Sequence, residues 1–181
     1  LILTKILKRA REVTHSGQEL TASEPLKFFI KNTINKEDFT PDVLKKFSYL
    51  DDFDILGAIK AWQFHDDFVL SELCKMIINR DLPKIRLQSE KASREEVHSL
   101  RERAMKTLGI TEKEAKYFVL EGKVKNQAYN KEGEPIHILN KDRTVEDVID
   151  ASDQLNLKAL SKPVTKYYVC FPKQLLEEAG I

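Results

Sequence analysis

The chain has 181 residues, 41% hydrophobic and 33% charged, which suits one ordinary globular domain with at most a small appendage. Thirty basic against 29 acidic residues leave a net charge of +1, without the basic excess of a dedicated nucleic-acid binder. The two cysteines, Cys74 and Cys170, each sit in an apolar run, so a disulfide framework is excluded and a reducing, cytoplasmic setting is expected.

The opening residues LILTKILKRAREV are already in helical period, with Leu3, Ile6, Leu7, Ala10 and Val13 at spacings of three and four. Charges threaded through that block are unlike a signal peptide, and no apolar run approaches the ~20 residues of a membrane span. With no cap chemistry before Leu1, the chain reads as a longer protein cut at this point. THSGQEL is a break in which Gly17 stops the helix. Ser23 caps a short helix with Pro25 in its first turn, and Thr40-Pro41-Asp42 starts another. From Asp54 to Phe64, Ile55, Ile59 and Trp62 share one face. From Phe68 to Asn79, Val69, Leu70, Leu73, Cys74 and Ile77 form a wide apolar stripe.

LPKIRLQSEKASREE leads through a short strand, Ile85 to Leu87. Ser93 and Glu96 then form a capping box for a charged helix that runs to Leu108 and ends at Gly109. Thr111 and Glu114 repeat the same signature. In the last third, YFVLEGKVKNQAY and TKYYVCF are rich in aromatic and β-branched residues and read as strands. A turn at Glu132-Gly133 and a short strand lie between them, and Thr144 is expected to cap a helix burying Val145, Val148, Ile149 and Leu155. YYVCF is apolar on both alternating faces, as in a strand covered on both sides. The fold class is α+β: a helical first half followed by a small mixed sheet with helices. Three regions are expected: a helical region over 1–88, a charged helical connector over 89–115, and a small α+β domain over 116–181.

Two features bear on chemistry. The stretch WQFHDDFVL places His65 before Asp66 and Asp67, a doublet able to hold a metal ion only where further ligands converge from separate elements. The remaining histidines, His15, His98 and His137, lie in a break, a charged helix and a strand. The acids sit where one helix ends and the next begins, so either can cap the second helix and complement its dipole. Asp51, Asp52 and Asp54 read in the same way at a helix start. No catalytic and no metal-ligating residue is therefore assigned. The second feature is NRDLPKIRL, with Arg80 at a helix C-terminus and Lys84 and Arg86 on the extended segment after it, where alternation puts both on one face.

The order of residues in YLDDFDILGAIKAWQFHDDFVLSELCKMIINRDLPKIRL resembles the region downstream of the catalytic core in HD-superfamily dNTP triphosphohydrolases, which include dGTPase-like and SAM-and-HD-domain enzymes. The shared pattern is a Leu-x-Asp helix start, an amphipathic helix, a short acidic junction, a second helix, then Arg-x-Leu-x-Lys, here Arg80, Leu82 and Lys84. The resemblance extends more weakly over YFVLEGKVKNQAYNKEGEPIHILNKD. It implies that the helical half continues an all-helical HD domain whose metal-binding residues lie earlier in the protein, with a divalent metal in that missing core. The chain would be the C-terminal accessory and oligomer-forming part, inactive alone. Its partners would be its own HD catalytic domain and further copies of itself. Arg80 and Lys84 match positions that in some relatives contact the phosphates of an effector nucleotide. Pro83 departs from the bulky residue often found there. Deprived of its core, the opening helix and the 69–77 stripe are expected to be left exposed. The alternative is an independent interaction module with no nucleotide role, whose sheet edge or apolar helices bind a protein.

Overall fold

The computed structural model describes residues 1–126, 135–151 and 164–177. The first half is helical: α1 (Ile2–His15), α2 (Glu24–Lys31), a single 3₁₀ turn (Lys36–Asp38), α3 (Pro41–Ser48), α4 (Asp52–Trp62) and α5 (Phe68–Ile78). The second half mixes strands and helices. It runs β1 (Lys84–Gln88), α6 (Arg94–Leu108), α7 (Glu112–Phe118), β2 (Leu120–Asn126), β3 (His137–Leu139), β4 (Val145–Asp147), α8 (Val148–Ala151), β5 (Val164–Phe171) and α9 (Gln174–Glu177). The class is α+β, as the sequence implies. No helix among the described residues is long and apolar enough to cross a membrane.

Local chemistry sets most helix starts. Ser23 and Thr40 each accept a backbone N–H three residues on, with Pro25 and Pro41 in the first turns that follow. Asp51 accepts the N–H groups of Phe53 and Asp54 while the Asp54 carboxylate accepts the Asp51 N–H, a reciprocal box at the start of α4. Gly109 ends α6 at φ +65° and Gly17 follows α1 at φ +92°, where a side chain would be strained.

The first-half helices pack on one core, which α7 joins through Ala115, Tyr117 and Phe118. Ile6, Ala10 and Val13 of α1 meet Leu26 and Ile30 of α2, Ile59 and Trp62 of α4, and Val69, Leu70, Leu73 and Cys74 of α5. Trp62 donates its indole N–H to the Thr21 carbonyl at 2.9 Å, so the largest buried side chain is also fixed in direction. The expectation that α1 and the 69–77 stripe would lie exposed is corrected here. The two helices bury those faces against each other and α4, leaving only Leu1 and Leu3 markedly exposed at the start of α1. In the helical half, large exposed apolar residues lie on α3, α4 and the junction, among them Leu44, Phe47, Tyr49, Phe53, Leu56 and Phe64, and others lie on the strands.

In the second half β5 is the centre of the sheet β1-β5-β2, and β3 pairs with β4. The sheet read from sequence as mixed has only antiparallel pairs among the described residues. Val169, Cys170 and Phe171 are buried on both faces of β5. Val169 and Phe171 join a second core with Val97, Leu100 and Ala104 of α6, Val119, and Leu175 of α9.

Two local expectations need correction. Thr144 does not cap a helix: its N–H and hydroxyl both turn back to the Asp142 carboxylate, at 3.0 and 2.7 Å. Val145 then enters β4, and the helix begins only at Val148, with the Asp147 carboxylate accepting the Ile149 N–H. Ser93 caps α6 as expected, but Glu96 pairs with Arg86 of β1 in an ion bond that ties helix to strand. The Glu132-Gly133 turn and Leu155 lie outside the described residues.

Candidate functional site

At the α4–α5 junction, Asp67 is the N-cap of α5 and accepts the Leu70 N–H at 2.8 Å. Arg9, from α1, grips the same carboxylate with both arms: Nε to Oδ1 at 3.0 Å and a terminal nitrogen to Oδ2 at 2.7 Å. Arg9 also reaches Glu12 at 3.1 Å. Burial alone would raise the Asp67 carboxyl, but the hydrogen bonds from Arg9 and Leu70 outweigh it and hold the group below its ordinary value of 3.8. The Arg9 guanidinium is raised in turn, chiefly by its hydrogen bonds to Asp67.

His65 is part of this same knot. Its Nδ1 accepts the Asp67 N–H at 2.9 Å, which fixes the neutral ring with its proton on Nε2. Ser71 completes the junction by donating to the Gln63 carbonyl at 2.7 Å. His65 Nδ1 and both Asp67 oxygens are engaged in these bonds, and Asp66 is exposed. Among the described residues no three metal-ligating side chains gather here, and Asp67 acts as both cap and ion-pair partner. Sequence reasoning found the cap but missed Arg9, whose helix was read only for its apolar face.

The remaining histidines are dispersed. His15, the last residue of α1, reaches the Lys31 carbonyl at 3.0 Å. His98 sits one turn from Glu102 on the exposed face of α6, and His137 stands opposite Asp147 in the β3–β4 hairpin.

Arg80 and Lys84 flank the exit from α5. Arg80 directly follows the C-cap Asn79 and takes a left-handed conformation at φ +57°, a position that usually falls to glycine. Both side chains are exposed, and neither has an ion pair among the described residues. Their neighbours differ: Asp81 pairs with Lys173 at 2.8 Å, and Arg86 is held by Glu96 and lies over the Phe171 ring. Lys84 opens β1 opposite Phe171, with Arg86 on the same face. The segment thus offers two uncommitted cations, one held at an energetic cost of about 1 kcal/mol in backbone strain.

No protein-family model matches the chain. Its fold is similar to that of a solved phosphohydrolase from Bacteroides thetaiotaomicron, with a TM-score of 0.82 and 40% identity over 94% of this chain. Only 43% of that chain is covered. Over 84 residues, 45% of this chain, it is also 34% identical to the "Uncharacterized protein YwfO" of Bacillus subtilis, a match that takes in 17% of that protein. The chain therefore spans less than half the length of the phosphohydrolase it resembles.

Proposed function

We propose that this chain is the C-terminal accessory and oligomer-forming part of an HD-type, metal-dependent phosphohydrolase of the cytoplasm that acts on nucleotide, dNTP-like phosphates. The observation that carries the reading is the similarity to a phosphohydrolase over 94% of the chain, at an identity high enough to speak for more than fold. Two things support the division of labour. The His65–Asp67 junction uses its polar groups to fasten α1 to α5, which supports a metal centre built from other residues. Arg80 and Lys84 remain uncommitted beside the sheet, as an effector site for nucleotide phosphate requires. A guanidinium can bind phosphate through two parallel hydrogen bonds, while a lysine supplies a mobile point charge. Part of such a site would come from a second copy of the protein.

The experiment compares this chain alone with the full-length protein, each supplied with divalent metal and a panel of nucleoside triphosphates. Turnover is expected only from the full-length protein. Hydrolysis by the chain alone that disappears in His65→Ala would refute the accessory role. A full-length protein that releases phosphate from no nucleotide would refute the class.

A further inference from the structure

Two helices each carry a Lys-x-x-Lys step: Lys5 and Lys8 on α1, Lys113 and Lys116 on α7. Side chains three residues apart lie on the same helical face. These four lysines border one cleft of about 350 Å³, together with Arg9, Glu12 and Tyr117. Lys5 Nζ, Lys8 Nζ and Arg9 Cζ stand 5.8, 5.9 and 5.7 Å from the centroid of the Tyr117 ring. Tyr117 is only 7% exposed, and its buried hydroxyl lies against the Glu12 carboxylate and Arg9 without completing a well-formed hydrogen bond. Burial first, and then the nearby Glu12 carboxylate, hold that phenol above its ordinary value, so it stays a neutral donor.

The acids nearby leave the cleft positive. Arg9 is taken by Asp67 and Glu12, and Lys116 has Glu112 at 3.5 Å. Lys5, Lys8 and Lys113 have no ion pair among the described residues. Lys5 is held below the usual lysine value, first by burial and then by the charges of Lys8 and Arg101. Like charges crowded on facing helices repel, and a buried hydroxyl in poor hydrogen-bond geometry is costly. Both defects vanish if an anion enters.

We infer that the α1–α7 cleft binds a short phosphate chain, a di- or triphosphate group, through Lys5, Lys8, Lys113 and Lys116 with the Tyr117 hydroxyl as a neutral donor. A phosphate chain carries enough anionic oxygens to meet both lysine pairs, and each further charge-assisted contact adds affinity over a single phosphate. Cations already crowd the aromatic ring, so the cleft offers no platform for a base and recognises the phosphates alone. This site uses neither Arg80 nor Lys84 and does not depend on the function proposed above.

The test is calorimetric titration of the full-length protein with inorganic tripolyphosphate, counting sites per chain. The variant K5Q/K8Q/K113Q/K116Q is expected to lose one site per chain, and each lysine pair removed singly to weaken that site at least about tenfold. R80A/K84A is expected to keep it. Lysine-to-arginine changes at the same four positions are expected to retain binding. The ligand-free melting temperature of the glutamine variant is expected to equal or exceed the parent value, which separates loss of the site from loss of the fold. A nucleoside triphosphate is expected to compete with tripolyphosphate at similar affinity. An unchanged site count and affinity in the quadruple glutamine variant would overturn the assignment. So would orthophosphate binding as tightly as tripolyphosphate.

Discussion

Arg9 and Asp67, 58 residues apart in sequence, form a two-armed ion bond in which the carboxylate is also the N-cap of α5. One side chain thereby orders a helix start and fastens it to α1. Because Asp67 is held below its ordinary value of 3.8, it binds its proton less readily folded than unfolded. Its contribution is therefore complete above the unfolded value and is lost as the pH falls below 3.8 towards the folded value. Asp67→Asn should flatten that part of the acid limb in urea unfolding measured from pH 5 downwards. Asp67→Ala should cost on the order of 2–3 kcal/mol at neutral pH, through loss of a cap and of charge-assisted hydrogen bonds. An Asn variant with the parent's acid limb would show that the pair is energetically idle.

Arg80 sets stability against function. Glycine at φ +57° is unstrained, so Arg80→Gly should stabilise the fold by up to about 1 kcal/mol. If the residue serves a nucleotide effector, the same change should abolish nucleotide activation in the full-length protein. Thermal unfolding and activity against effector concentration are the paired readouts. Unchanged activation in the double variant Arg80→Ala, Lys84→Ala would return both residues to the solvated surface.

The single tryptophan makes the helical core easy to follow. Trp62 is buried and bonded to Thr21, so its emission should shift to longer wavelength in step with loss of helical circular dichroism. Trp62→Phe keeps most of the apolar area but leaves the Thr21 carbonyl without its donor, at a cost of about 1–3 kcal/mol. A stability loss below ~0.5 kcal/mol would mean that water replaces the indole at once.

Phe53 and Phe64 are 84% and 81% exposed at the two ends of α4, with Leu56, Phe47 and Tyr49 also uncovered. Apolar residues grouped in this way favour association. The chain alone should self-associate as its concentration rises, and Phe53→Glu with Phe64→Glu should shift it towards monomer in sedimentation. A parent chain that stays monomeric at high concentration would rule out this face as the cause.

What the sequence disclosed follows the range of the interactions involved. The caps at Ser23, Thr40, Asp51 and Thr111 are local, each side chain bonding within three residues, and could be read directly. Thr144 defeated the same logic because its hydroxyl had two local choices and turned back to Asp142. The hairpin pairing that places Val145 in a strand was decided by Leu139, six residues upstream. Glu96 could have closed a box on Ser93, but Arg86 competes for it. In the same way Asp67 was legible as a cap and illegible as the partner of Arg9. The lysine steps KILK and KEAK were visible in the sequence, but only the approach of α7 to α1 makes them one cleft.

The order of strands in the sheet has a consequence for how the protein is made. β1 leaves the helical half at Lys84, yet among the described residues its only neighbour in the sheet is β5, whose first residue is Val164. During synthesis the helical core can close once α7 has emerged, while the strand β1 must wait for a partner some eighty residues downstream. Throughout that interval Ile85 and Leu87 travel on an unpaired edge, next to the two cations proposed to bind nucleotide. A ribosome that stopped before Val164 would release a polypeptide with an intact helical core and a bare, adhesive strand. In such a product Lys84 would lack the register with Phe171 that places it, so the proposed effector site would be among the last parts of the molecule to mature.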